Sequence, residues 1–483
     1  MTLKLLLLLV AALAIGSTVV LRRSKRNILL ERLRVGGRRV SGARTPPRSL
    51  SPDKKPAIPP EFNYSQAFPP SRRDALTGIL NEEDIDEPVG DWTKDMLPMD
   101  MSYLDADDSK RLPCGFSIKE IKALGDFPDY AALSGVPLPA AYPEFDIAKA
   151  LPRPYRPFRW PYHQTMSLSK LQPDWWLELE NTYKTRIQQR LALYATHGPN
   201  VLNALPGSEL ACKETMETAL QFLCQRYPHY FRLSPDKTTL HNAILGVQTN
   251  LLDTPPLHVL LSNVPEDFAV MQRSHESGRY VLRAGVICSA IGWNLGSKLG
   301  LHLSEIHAPI PDYKEKMEFS MERYFTKLAT TCPIQRGSWG LELDQPLYVP
   351  PDSHSSSPSP TQTATPPDLT RIHLRVDWQT LRRLPLSGAI LFNFKAIFTP
   401  VTRFRTEPRV PGLLVGILRG AKRALLAYKG MGRVEGVVVD ALEKWHEEQV
   451  ARGWVHGEWE AETLGESPWF EGWEAKWRGE QGF

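Results

Sequence analysis

The chain of 483 residues has 42 prolines, five cysteines and a formal net charge of +4. So small an excess over this length does not point to nucleic acid as a partner. The cysteines, Cys114, Cys212, Cys224, Cys288 and Cys332, contain no C-x-x-C pair. That excludes a zinc ribbon, an iron–sulfur run, a thioredoxin-type pair and c-type haem attachment through C-x-x-C-H, and the scatter suits a reducing compartment.

From the N-terminus, residues 5–21 form an uncharged apolar run of 17, at the short end for a membrane span. Arg22, Arg23, Lys25 and Arg26 follow at once. The positive-inside rule then predicts a single-pass anchor over 1–22 with the body in the cytosol, on the endoplasmic reticulum or another endomembrane. A mitochondrial targeting segment is the rival, because residues 1–49 hold eleven basic residues and one acid, Glu31. A cleaved secretory signal is the third reading. Residues 23–140 read as a Pro/Arg-rich tether passing into an acidic, partly ordered segment. The folded domain is expected over 141–435, with a low-complexity, disordered insertion at 350–370, and a Trp-rich tail follows at 436–483.

Within the domain, Leu179, Tyr183, Ile187, Leu191 and Tyr194 recur at helical spacing. A second helix starts at Ser208, with Met216, Leu220, Leu223, Cys224 and Tyr227 on one face, and ends at Pro228. Apolar runs at 257–261 and 268–271, and the stretch 280–287 after the Gly278 turn, suit strands. A helix is expected over 313–328, a strand around Trp339, and helices over 413–428 and near 435–451. The tail tryptophans dock on the core, on a membrane surface or on a partner; the sequence does not choose among these.

Two stretches bear on chemistry. In the first, His307 is followed by Ala308-Pro309-Ile310-Pro311. Proline fixes its own φ and biases its predecessor away from the α region, so His307 is expected in a stiff extended loop. Asp312 and Glu315 have the spacing of a capping pair for the next helix. His307 is either a structural histidine bonding a loop carbonyl or a held ligand or acid/base. In the second, Ile372, Leu374, Val376 and Trp378 alternate with His373, Arg375, Asp377 and Gln379, so period two puts the four polar residues on one strand face. That face is either solvated or lines a polar site in which Arg375 is a fixed cation. LPLSGA turns the chain into a return strand at 389–398. The glycine fingerprints of dinucleotide and P-loop sites, the G-x-S-x-G elbow and H-E-x-x-H are all missing from the sequence. Redox chemistry here therefore needs a separate electron-transfer component.

Eight motifs in order carry a resemblance: PFRW at 157–160, NALPGSE at 203–209, PEDF at 265–268, W-x-L-x-x-KLG ending at Gly300, IHAPIPDY at 306–313, Arg336-x-x-Trp339, RVDWQTLRRLP at 375–385 with SGAILF after it, and AYKG at 427–430. Over about residues 145–430 the chain resembles the haem-dependent oxidative N-demethylase-like family, which includes the fungal HRQ family proteins. The resemblance implies an α+β fold: a PAS-like antiparallel sheet with flanking helices forming a pocket for haem b. It implies oxidative N-demethylation of a small amine with release of formaldehyde, and a separate flavin or iron–sulfur reductase as redox partner. On this resemblance His307 is the expected iron ligand, Arg375 and Gln379 are expected at the propionates or the distal side, and Arg336 and Trp339 are second candidates for holding the cofactor. The chain departs from the family where Cys288-Ser289-Ala290-Ile291-Gly292-Trp293 replaces a Phe-Pro-Ser-x-Trp-like sequence, and at Asp377-Trp378. Cys288 raises a thiolate ligand as a rival to a small buried cysteine. The alternative function is a haem- or ligand-binding PAS-like sensor or carrier without turnover; a third is an anchored scaffold that has lost the cofactor.

Overall fold

The alternation at 372–379 builds the centre of the molecule. In the computed structural model, which describes residues 72–87, 91–163, 165–351 and 366–482, that stretch lies in a seven-stranded sheet. The strands are β1 (Ser169–Lys170), β2 (Leu202–Ala204), β6 (Asp267–Arg273), β7 (Tyr280–Val286), β8 (Ile334–Leu343), β9 (Ile372–Arg383) and β10 (Ile390–Pro400). They run in the order β1-β8-β9-β10-β6-β7-β2, every neighbour antiparallel. A separate three-stranded antiparallel sheet holds β3 (Phe231–Leu233), β4 (Thr239–Asn242) and β5 (Val247–Asn250). The helices that matter below are α1 (Ile118–Leu124), α2 (Tyr130–Ser134), α3 (Tyr183–His197), α4 (Glu209–Arg226), α5 (Pro256–Asn263), α6 (Leu303–His307), α7 (Tyr313–Lys316), α8 (Glu318–Lys327), α9 (Val410–Gly420), α10 (Arg423–Tyr428), α11 (Glu435–Ala451) and α12 (Trp473–Gln481). The fold class is α+β, as the resemblance implies.

The sheet has two unlike faces because β9 has two unlike sets of side chains. Ile372, Leu374, Val376 and Trp378 join the main core with residues of α4, α5, α9 and α11. The opposite face carries Leu381, Ile390, Phe394, Ala269, Met271, Tyr280 and Leu282, covered by Leu303, Tyr313, Met317, Met321 and Phe325 of the α6–α8 segment. Each fully buried side chain of this size contributes roughly 1.5–3 kcal/mol.

Several expectations need correction. The run at 257–261 is helix α5, not a strand; Pro256 opens it at a position where proline's missing N–H costs nothing, and a fully buried run shows no period that separates helix from strand. The 413–428 helix is two helices, since Ala421 is extended and a Cβ on Gly420 would meet the Trp160 ring at 2.8 Å. Asp312 makes no capping bond; it sits in a left-handed conformation and accepts from Lys316 and Lys422. Within 23–140, Leu76, Leu112, Phe116, Ile118, Tyr130 and Leu133 pack with Leu210 and Leu386. The tail docks on the core: Trp477 donates to the Leu151 carbonyl at 3.0 Å, the Arg156 N–H donates to the Pro468 carbonyl at 2.6 Å, and the Arg153 guanidinium lies 4.6 Å over Trp175 and 5.2 Å over Trp469. The apolar run at 5–21, most of the tether and residues 352–365 of the insertion lie outside the described residues. Among the described residues, no helix is long and apolar enough to cross a membrane.

One buried acid links α4 to the β9–β10 turn. Glu214, with no exposed surface, accepts from the Leu386 N–H at 2.6 Å, the Ser387 N–H at 3.0 Å and the Ser387 hydroxyl at 2.6 Å. Burial pushes its carboxyl up to about 7, against those hydrogen bonds. The folded state thus holds a proton that the unfolded chain releases near pH 4.5. The contribution of Glu214 is fully present below that value and is lost as pH rises toward 7. Urea midpoints at pH 5 and pH 8 test this: Glu214→Gln is expected to lose less stability between the two pH values than the natural chain, and an equal loss in both would refute the assignment.

Candidate functional site

The site lies between the second sheet face and the segment 287–316. Helix α6 begins at His302, whose N–H donates to the Glu305 carboxylate at 2.7 Å in a capping box. It is only five residues long because Pro309 and Pro311 follow and supply no N–H. His307 is therefore the last residue of a short helix, not a residue of an extended loop, and Ala308 keeps a helical backbone despite preceding proline.

This position fixes the imidazole. Nδ1 lies 2.8 Å from the Leu303 carbonyl one turn back. A carbonyl can only accept, so Nδ1 carries the proton and the lone pair is on Nε2. The ring stacks on Tyr313, with centroids 5.4 Å apart and planes 17° apart. Burial pushes its pKa down to about 4; the Leu303 bond opposes this, while nearby Lys298 and Arg336 add to it. His307 is thus neutral at physiological pH, and Nε2 has no hydrogen bond among the described residues. A metal-binding histidine is commonly oriented in this way, by a carbonyl on its other nitrogen.

The facing wall comes from strand register. Arg336 of β8 pairs with Gln379 of β9, Gln379 with Phe394 of β10, and Phe394 with Asp267 of β6, so the four lie in one row. Arg336 Nη1 donates to Gln379 Oε1 at 3.0 Å, and its Nε has no partner. Arg336 makes no ion pair among the described residues, and burial lowers its pKa. A desolvated cation without an acid is costly unless an anion arrives. Around the row, Met166, Leu168, Trp293, Ile306, Ile310 and Phe392 remain half-buried on the second core cluster.

Segment 287–300 is held over the wall by Asp267. Its carboxylate accepts the Cys288 N–H at 3.0 Å and the Ser289 N–H at 2.7 Å and is paired with buried Arg190. Burial pushes the Cys288 thiol up to about 12, so it is a small buried thiol, not a thiolate. The segment also brings Lys298, whose ammonium bonds the Ile306 carbonyl at 3.2 Å and lies 4.8 Å over the Trp293 ring.

Of the five residues singled out from sequence, Arg336 and Gln379 bond one another, and Arg336 is near enough to His307 for its charge to act on the imidazole. Arg375 shares the sheet face of Arg336 and Gln379, on which His373 and Arg375 are buried and Asp377 and Gln379 half-buried. Its guanidinium is engaged by Asp377 at 2.9 Å, the Pro346 carbonyl at 2.7 Å and the Ser289 carbonyl at 3.5 Å, so it braces loops. Trp339 points into the main core, edge-on to Phe158 at 5.0 Å. Asp267, Lys298 and Lys429 lie within the PEDF, KLG and AYKG motifs, and nothing in their spacing marks them out from the rest of those motifs.

These residues fit a haem. A planar, largely apolar ring with anionic edges matches half-buried apolar side chains, an unpaired arginine and one open imidazole nitrogen. Among the described residues no three His, Cys, Asp or Glu side chains gather as a metal site, and an iron held by a porphyrin needs none. The model of the family described as haem-dependent oxidative N-demethylase, alpha subunit-like, matches residues 167–439, over half of the chain.

Proposed function

The chain belongs to the haem-dependent oxidative N-demethylase alpha-subunit-like family, a family of oxidoreductases, and from that premise we propose that it binds haem b and removes a methyl group from a small amine. The observation that carries this reading is His307, neutral, oriented by the Leu303 carbonyl and open at Nε2. When bound, the haem supplies the oxidising chemistry: the N-methyl amine is taken to an imine, which water hydrolyses to formaldehyde and the demethylated amine. The antiparallel sheet with α6–α8 on one face supports a PAS-like pocket.

In this reading His307 holds the iron, and Tyr313 limits rotation of its ring. Arg336 and Gln379 form the polar part of the wall. Arg375 positions the Ser289 and Pro346 backbone, and Trp339 supports β8 from the core side. Electrons come from a separate flavin or iron–sulfur reductase, since the sequence has no nucleotide-binding fingerprint. The apolar run at 5–21 anchors the chain to an endoplasmic reticulum or other endomembrane, with the body in the cytosol.

The test is full-length protein, loaded with haem and supplied with a reductase, oxygen and methylated amines. Formaldehyde release is the expected result. A protein that binds haem but releases no formaldehyde is the sensor or carrier. A protein that takes up no haem sinks both readings.

A further inference from the structure

Helix α6 ends on a carbonyl that its own backbone cannot satisfy. The Ile306 carbonyl would accept from an N–H three or four residues on. Pro309 has no N–H, and the Ile310 N–H donates to the His307 carbonyl at 2.9 Å instead. Among the described residues no backbone N–H reaches the Ile306 carbonyl, whereas the Lys298 ammonium donates to it at 3.2 Å. A lysine from another segment thus closes the helix end that the prolines leave open.

Lys298 stands on a fixed base. It is half-buried and makes no ion pair among the described residues. Its ammonium lies 4.8 Å over the Trp293 ring, which in turn lies 6.4 Å from the Phe394 ring of β10. Asp267 holds one end of the segment through the Cys288 and Ser289 N–H groups. At the other end the Gly300 N–H donates to the Leu282 carbonyl at 2.8 Å, and the Leu282 N–H to the Leu301 carbonyl at 3.0 Å. The Ile306 carbonyl belongs to the peptide unit whose nitrogen is that of His307. A peptide unit is planar, so holding its carbonyl also holds the backbone that enters His307. The imidazole bonds the Leu303 carbonyl one turn back, and it reaches that carbonyl only while the last turn of α6 is closed.

We propose that Lys298 is a positioning residue for His307: it caps α6 from outside and keeps the last turn closed. Nδ1 then stays on the Leu303 carbonyl, and Nε2 keeps one direction. Lys298 acts through the backbone of α6 alone. The use of that direction, to hold iron, rests on the haem reading above.

The first measurement is nitrogen NMR of the full-length apoprotein with isotope-labelled histidine, the His307 signals being identified by their loss in His307→Gln. The natural chain is expected to show His307 in the Nδ1–H tautomer alone. Lys298→Met keeps the stem but loses the donor, and it is expected to show a mixture of tautomers. Lys298→Arg keeps a donor and stacks on the indole, and it should restore the single form. The second measurement is haem titration followed by the Soret band. Lys298→Met is expected to bind haem about 10- to 100-fold more weakly than the natural chain. In His307→Gly supplied with imidazole, the ligand no longer hangs from the backbone of α6, and adding Lys298→Met should cost nothing further. An unchanged tautomer in Lys298→Met overturns the positioning role. An equal loss of haem affinity in both backgrounds also overturns it, since Lys298 would then support the pocket as a whole. A natural chain that takes up no haem refutes the haem reading, and the tautomer measurement still decides whether Lys298 positions His307.

Discussion

His307→Ala is expected to abolish the Soret band of the reconstituted protein while leaving its far-ultraviolet circular dichroism unchanged. The two effects separate because of what the side chain touches. Among the described residues it makes one hydrogen bond, to the carbonyl of its own helix, and one ring stack, on Tyr313. Such a stack is worth about 0.5–1.5 kcal/mol, and the lost bond frees a single carbonyl. That total is small beside the about 5–15 kcal/mol by which domains are stable. Iron ligation, by contrast, has no substitute nearby: the Cys288 thiol is held protonated by burial, and no His, Cys, Asp or Glu cluster stands by among the described residues. Imidazole added to His307→Gly should restore the band by filling the space, whereas Cys288→Ser should leave the spectrum of the natural chain as it was. An undiminished Soret band in His307→Ala would remove His307 from the iron.

What the sequence made legible follows from local chemistry. Strand β9 could be read because its two faces differ in kind, so period two is visible over Ile372–Gln379. Helix α11 could be read because its boundaries, Glu435–Ala451, coincide with a simple amphipathic stretch. Helix α5 could not, since five of its eight residues are buried and only His258 and Ser262 mark a narrow polar edge within so short a run. The helical backbone at His307 was hidden by the prolines, and the capping box that starts α6 uses His302, a residue type seldom found as an N-cap. The approach of Arg336 to His307 is tertiary and leaves no local mark. Lys429 is the plainest case: a lysine after a helix, next to Gly430, reads as a solvated C-terminal charge, and only docking against β8 buries it.

Asp267→Ala carries the largest expected cost to stability, and it reaches the site by a different route. Asp267 and Arg190 have side-chain exposures of 1% and 4%. Removing the carboxylate leaves the guanidinium buried and unpaired, which costs about 3–5 kcal/mol. At roughly 2–4 °C per kcal/mol, that is a fall of about 6–20 °C in Tm. The same substitution strips the acceptor from the Cys288 and Ser289 N–H groups, so residues 287–300 lose their anchor to β6. Trp293 and Lys298 ride on that segment, and haem affinity is expected to fall as well. Replacing both partners, as Arg190→Met with Asp267→Leu, removes the buried charge and should recover much of the lost Tm, yet it supplies no acceptor for the two N–H groups. Haem affinity should therefore stay low in the double variant. Thermal unfolding by circular dichroism and Soret titration, run side by side, separate the two roles. A double variant no more stable than Asp267→Ala would show that the ion pair is not what Asp267 contributes, and one with full haem affinity would show that the segment holds its place without it.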